Sequence, residues 1–205
     1  MATIVITSGP TRQYLDPVRY LTNSSSGRMG SCLAEAALEL GHRVTVVSGP
    51  VNIEYPAAAE LIRVTTTREM LDATQRCFER ADGLIGAAAP CDYMPINVSS
   101  QKLSKTGNGL QLSLLETPDI VATLGASKRA GQWVVGFALE TEDVRFRAIV
   151  KMTRKSCDMI ISNSAEAMNS HDNSVEIILH GGRLLEQVQG SKLHVARRIL
   201  YQIQA

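Results

Sequence analysis

Ala2-Thr3-Ile4-Val5-Ile6-Thr7, followed by Ser8-Gly9-Pro10-Thr11, is the stretch that decides the fold class. A short apolar, β-branched run ended by a turn cluster reads as a buried strand giving way to a loop. Outward from it, Met29, Leu33, Ala37, Leu38 and Leu40 fall near helical spacing, and Gly41 follows where a helix-ending glycine belongs. Residues 43–47 form the next strand, closed by Ser48-Gly49-Pro50, and 61–64 form a third. Thr65, Thr66 and Thr67 offer caps for a helix over 68–81, after which 84–89 returns to strand. Helices between strands imply right-handed parallel crossovers. The expected fold is therefore α/β: a Rossmann-like three-layer arrangement around a mostly parallel central sheet.

Beyond that point, 90–108 carries prolines, glycines, serines and lysines with no sustained period, and reads as a long active-site loop. A strand over 110–115, a helix opened by Pro118 at a first-turn position, and a buried strand over 133–138 follow. A helix over 144–155, a strand over 159–162, a hairpin around Gly181-Gly182 and a last helix over 189–204 complete the expected map. Residues 1–205 read as a single domain, because α/β domains commonly reach this length.

Composition narrows the function classes. Hydrophobic residues make up 44% of the chain and aromatics only 4%, so the core must come from Ala, Val, Leu and Ile, which suits a sheet covered by helices. Twenty-one basic residues against 20 acidic ones leave a net charge of +1, which provides no global field for nucleic acid or an anionic membrane. Any anion site must be local. Cys32, Cys77, Cys91 and Cys157 form no CxxC pair, which speaks against zinc or a disulfide framework and for a reducing cytoplasm. The chain opens directly on a strand without a leader pattern, and no apolar run approaches the roughly 20 residues of a membrane span.

The segments able to carry chemistry, 8–11, 24–30, 88–93, 117–121 and 137–141, each follow the carboxyl end of an expected strand, where open parallel sheets bind ligands. Ser24-Ser25-Ser26-Gly27-Arg28-Met29-Gly30 leads into the first helix, so hydroxyls and free amides there could hold a phosphate or merely cap the helix. Thr117-Pro118-Asp119-Ile120-Val121 is a second capped helix start. Lys102 and Lys105 in the loop, with Lys151 and Lys155 one helical turn apart, supply cations suited to a triphosphate. His42, His171, His180 and His194 have no nucleophile or acid at a recognisable spacing, and Cys91 beside Asp92 reads as packing, since a neighbouring carboxylate disfavours the thiolate.

Gly9-Pro10-Thr11-Arg12, Asp16-Pro17-Val18-Arg19-Tyr20, Asn23 through Gly30, Ala87-Ala88-Ala89, Asp92-Tyr93, Thr117-Pro118-Asp119-Ile120 and Gly136-Phe137-Ala138-Leu139-Glu140-Thr141, in that order, closely resemble the phosphopantothenoylcysteine synthetase (phosphopantothenate–cysteine ligase) family. The resemblance implies a homodimeric Rossmann-like enzyme of coenzyme A biosynthesis, which in its bacterial form uses CTP with Mg²⁺ carried on the nucleotide. It implies that 4′-phosphopantothenate is activated as an acyl-cytidylate with release of pyrophosphate, and that cysteine then displaces CMP. Asn23, Arg19 and Lys102 match catalytic positions of the family. Gly9, Ala88, Ala89, Asp92, Lys102, Pro118, Asp119, Ile120, Val121, Phe137, Lys151 and Lys155 match nucleotide-binding ones. The acid substrate is expected at Asn23, Ser24, Ser25, Ser26, Gly27 and Arg28. No protein-held metal is expected, and with the flavin-dependent decarboxylase half lacking from this sequence, no FMN.

The chain departs from the family pattern in four places. Pro90-Cys91 precedes Asp92 where Val-Ala is common, and Lys102-Leu103-Ser104-Lys105 replaces Lys-Ile-Lys-Lys with the loss of one charge. Thr117 stands for Asn and Arg28 for Lys. Two other readings are compatible with the segments: an NAD(P)-binding Rossmann oxidoreductase, and a non-catalytic nucleotide-binding partner of a decarboxylase. The first requires a glycine fingerprint and an acidic residue ending the second strand, where this chain has Val47-Ser48-Gly49.

Overall fold

The computed structural model describes residues 1–140, 142–164 and 173–204. The first half of the chain runs β1 (Thr3–Ser8), β2 (Arg12–Tyr14), β3 (Tyr20–Thr22), α1 (Arg28–Glu39), β4 (Arg43–Ser48), β5 (Glu60–Arg63), α2 (Thr67–Phe78) and β6 (Gly83–Gly86). The second runs β7 (Tyr93–Pro95), β8 (Leu114–Glu116), α3 (Ile120–Ser127), β9 (Trp133–Glu140), α4 (Val144–Arg154), β10 (Met159–Ser164), β11 (Asn173–Leu179), β12 (Arg183–Gly190) and α5 (Lys192–Gln204).

Eight strands form one sheet in the order β12-β11-β10-β9-β6-β1-β4-β5. The six from β10 to β5 are mutually parallel, and the β11–β12 hairpin adds an antiparallel edge. The two-residue period of β1 shows why both faces must be covered: Ile4 and Ile6 join one apolar cluster and Val5 the other. On the first face pack Leu33, Ala34 and Ala37 of α1 and Val195, Ala196 and Ile199 of α5. On the second lie Met70 and Ala73 of α2, Leu124 of α3 and Met152 of α4. This is the expected α/β architecture, with the crossover direction reversing between β1 and β6.

Several local expectations are corrected. The strand expected over 84–89 stops at Gly86, and only an isolated bridge from Pro10 to Ala89 continues the β1–β6 direction. The strand expected over 110–115 is Leu114–Glu116, paired antiparallel with Tyr93–Pro95 outside the main sheet. Leu110 and Leu112 alternate as strand residues do but have no partner strand among the described residues, because the register ends at Pro95 opposite Leu114. Pro118 lies before the helix rather than in its first turn: Asp119, in extended geometry, is the N-cap, its carboxylate accepting from the Ala122 amide at 3.0 Å. The last helix begins at Lys192, after residues 189 and 190 have completed β12. The hairpin of β2 and β3 was not anticipated; it is braced by Arg12 over the Tyr20 ring and by Tyr14 edge-on to Tyr20.

Candidate active site

Where the crossover direction reverses, a cavity of about 380 Å³ sits over the carboxyl ends of β1, β6 and β9. Thr7, Gly86 and Phe137 come from those strands, and Ala88, Pro90, Asp92 and Tyr93 from the segment after β6. Glu116 to Val121 form the facing wall, and Arg154 and Lys155 close it from the end of α4.

Threonine hydroxyls hold the wall after β6 in shape. The Cys91 amide donates to Thr11 Oγ1 at 2.8 Å, and Cys91 O accepts from Thr117 Oγ1 at 2.7 Å and from Thr67 Oγ1 at 3.2 Å. Since the Thr67 proton goes to Cys91, Thr11 must be the donor in the buried 2.7 Å contact between the Thr11 and Thr67 hydroxyls. This network seats the unusual Pro90-Cys91-Asp92 sequence. Cys91 itself is buried, with Sγ directed at Tyr93 O at 3.2 Å, as packing rather than nucleophilic use requires.

The electrostatics of the cavity centre on the start of α3. Asp119 is drawn to both Ala122 N and Lys155, whose Nζ lies 3.1 Å from Oδ2. Gly125 makes that approach possible, because a Cβ there would lie 2.1 Å from Lys155 O. The positive end of a helix, a lysine and an arginine therefore meet at one wall, the arrangement that receives phosphate groups.

The start of α1 is built differently. Its N-cap is Gly27 in left-handed geometry with φ 75°, without a side-chain cap, so serine capping is corrected to a glycine cap. A Cβ on Gly27 would meet Tyr55 Oη, Val51 and Ile53 within 3.1 to 3.3 Å. Tyr55 donates to Ser8 Oγ at 2.8 Å and is 2.8 Å from Ser48 Oγ. Side chains thus fill the crevice between β1, α1 and β4 in which a Rossmann oxidoreductase seats the pyrophosphate of its dinucleotide. That packing speaks against the NAD(P) reading.

The expected site residues fall into five places. Ala88, Asp92, Pro118, Asp119, Ile120, Val121, Phe137 and Lys155 line the cavity together. Gly9 and Ala89 lie next to it, joined by the bond from Ala89 N to Gly9 O, and Asn23 Nδ2 donates to Pro90 O at 2.8 Å. Arg19 and Lys102 belong to a separate cluster in which Arg19 is bonded to Asp16 and to Leu103 O. Ser24, Ser25, Ser26, Gly27 and Arg28 form the approach to α1, outside the cavity wall, and Lys151 is half-buried one turn before Lys155.

Sequence reasoning passed over Thr7, Gly86, Glu116 and Arg154, all of which line the cavity. The sequence signal for Arg154 is its place beside Lys155 at the end of a helix, which the i, i+4 spacing of Lys151 and Lys155 overshadows. His42 accepts from Ala2 N at 3.0 Å, with burial and then the nearby amino terminus lowering its pKa. His180 lies in a turn and His194 on α5, away from the cavity; His171 and Thr141 lie outside the described residues. A larger hollow of about 660 Å³ beside β11 and β12 has its charges already matched, Arg145 Nε donating to Glu176 at 2.8 Å.

The family described as the C-terminal domain of the DNA/pantothenate metabolism flavoprotein matches residues 1–205. The chain belongs to that family. It is 42% identical over 187 residues to the coenzyme A biosynthesis bifunctional protein CoaBC of Vibrio parahaemolyticus, covering 88% of this chain and 47% of the relative. To the CoaBC of Bacillus subtilis it is 40% identical over 207 residues, covering 98% of this chain and 51% of the relative. The chain therefore spans about half the length of these curated relatives. A crystal structure of the C-terminal domain of CoaBC superposes with TM-score 0.85 at 36% identity, covering 98% of this chain and 93% of that one. The resemblance drawn from the motifs is thereby borne out at the level of family and fold.

Proposed function

We propose that residues 1–205 act as one nucleotide-binding ligase unit that joins 4′-phosphopantothenate to cysteine, with CTP as the activating nucleotide. The observation that carries this reading is the cavity at the sheet's switch point, where the start of α3, Arg154 and Lys155 face Ala88, Asp92 and Phe137. Cations and helix amides suit the triphosphate; a backbone made small by Ala88, with an acceptor at Asp92, suits a base bearing an exocyclic amine. No nucleophilic triad is needed for this chemistry. A carboxylate oxygen of the acid bonds to the α-phosphorus as the bond to pyrophosphate breaks. The cysteine amine then bonds to the acyl carbon, CMP leaves with the acyl oxygen, and the amine proton passes to solvent. Both displacements are served by positioning and charge stabilisation.

Mg²⁺ fits as a nucleotide-borne ion. Among the described residues no three His, Cys, Asp or Glu converge on one point, while Asp92 and Glu116 offer hard oxygens around the cavity. Asp92 and Glu116 would hold the ion beside the nucleotide, where it would supply positive charge to offset the phosphates, leaving Lys155 and α3 to bind the remaining charge. In this reading Asn23, Arg19 and Lys102 act around the mixed anhydride and Ser24 to Arg28 meet the acid's phosphate. The enzyme works in the cytoplasm as a homodimer, for which exposed Leu110, Leu112, Leu114 and Leu115 provide apolar surface. Among the described residues no helix is long and apolar enough to cross a membrane.

The test is pyrophosphate release with each of the four nucleoside triphosphates, 4′-phosphopantothenate and cysteine. Release dependent on the acid, fastest with CTP, is expected. Nucleotide binding without release would instead favour the non-catalytic partner of a decarboxylase.

A further inference from the structure

Asp16 is wholly buried, yet it sits in a surface turn rather than in either apolar cluster. Its Oδ1 accepts the amides of Val18 and Arg19, each at 2.8 Å. Its Oδ2 accepts Arg19 Nε at 2.9 Å, Arg19 Nη2 at 2.5 Å and the amide of Leu103 at 3.1 Å. Burial works against ionisation, but the bonds from Arg19, Leu103 and Val18 outweigh it and hold the carboxyl well below the usual carboxylate range. Arg19 Nη2 also donates to Leu103 O at 2.5 Å, so one residue of the long loop is gripped at both its N–H and its C=O.

The loop between β7 and β8, residues 96–113, has little else to hold it. Among the described residues, three hydrogen bonds leave it: Ser99 N to Leu15 O, Leu103 N to Asp16, and Arg19 to Leu103 O. All three land on residues 15–19. Lys102 is the neighbour of the gripped residue and is itself exposed. Its location is therefore decided by the clamp.

We infer that Asp16 is a positioning residue, which sets Arg19 and the Lys102 segment as one unit by clamping Leu103. In its activity readout the inference rests on the ligase reading above; the clamp itself does not. The two oxygens of Asp16 have separable duties, Oδ1 building the turn and Oδ2 binding the loop. Asp16→Asn keeps an acceptor for the turn while presenting an NH₂ group to donors on the loop side.

Two measurements on the full chain test this. First, hydrogen exchange of the Leu103 amide is compared between parent and Asp16→Asn; exchange at least about tenfold faster in the variant is expected, since a protected amide loses its acceptor. Equal exchange overturns the clamp. Second, kcat for acid-dependent pyrophosphate release is measured for Asp16→Asn, Lys102→Ala and the double variant. Asp16→Asn alone should lower kcat on the order of 100-fold, the scale of a misplacement of about 1 Å. In the Lys102→Ala background it should add clearly less than it does alone, because only Arg19 is then left to position. Multiplicative losses, or a Lys102→Ala variant as fast as the parent, overturn the inference.

Should Asp16→Asn not fold, Leu103→Pro removes the gripped N–H from the loop side, leaves the buried turn intact, and is expected to show the same non-additivity with Lys102→Ala. If the parent releases no pyrophosphate with any nucleotide, the ligase reading fails, while Leu103 exchange still decides the clamp.

Discussion

The N-termini of α1 and α3 both lie at the carboxyl edge of the sheet and both carry sequence that could receive a phosphate, yet their neighbours treat them in opposite ways. At α1, Val51, Ile53 and Tyr55 occupy the space in front of Gly27, and Tyr55 ties Ser8 and Ser48 together. At α3, the capped start faces a cavity, with Lys155 brought to Asp119 by a glycine in the helix. A helix end supplies partial charge in either case. What separates a binding wall from a structural brace is which side chains pack against it, and those come from distant parts of the chain.

The largest effect that would break this comparison belongs to Lys155. Lys155→Glu is expected to weaken binding of CTP with Mg²⁺ by about 2 kcal/mol or more, roughly 30-fold, because it sets a repulsive charge where the phosphates are to lie. Calorimetric affinity equal to the parent's would remove α3 as the phosphate wall. Next is Gly125→Ala, whose new methyl must displace Lys155 O; a loss of roughly 1 to 3 kcal/mol in chemical denaturation, with weaker nucleotide binding, is expected.

On the α1 side, Tyr55→Phe loses two hydroxyl contacts and is expected to cost about 1 kcal/mol of stability while leaving nucleotide affinity unchanged. A large affinity loss there would show that the packed crevice takes part in binding after all. The smallest effect concerns Cys157, beneath α3, whose thiol is raised from the ordinary 9.0 to about 11, first by burial and then, against the pull of Lys155, by Asp158. A raised acid keeps its proton longer when folded. Its contribution is whole below about pH 9 and lost as pH climbs through about 11, so Cys157→Ala should flatten the alkaline limb of the stability curve.

The parallel strands and amphipathic helices were legible in the sequence because each is written in local periodicity: Ile4-Val5-Ile6 alternates between the two cores, and Thr66 and Glu69 form a full capping box for α2. What local pattern cannot carry is the identity of a distant neighbour. Leu110 and Leu112 alternate as strand residues do, but only a partner strand could have made them one. Serines before Gly27 suggested capping, whereas the backbone there needs the left-handed geometry that glycine adopts without strain. In the same way the motif resemblance named Lys155 and Asp119 but gave no reason to pair them. The pairing depends on Gly125, a residue with no chemistry of its own.

The net charge of +1 has a kinetic consequence. Cations are concentrated at one wall of a chain whose 21 basic and 20 acidic residues nearly cancel, so the far field is weak. Beyond roughly 8 Å at physiological ionic strength even the local wall is screened. A nucleotide is thus expected to arrive by plain diffusion, at a rate little altered by added salt, and salt is expected to act on how long it stays.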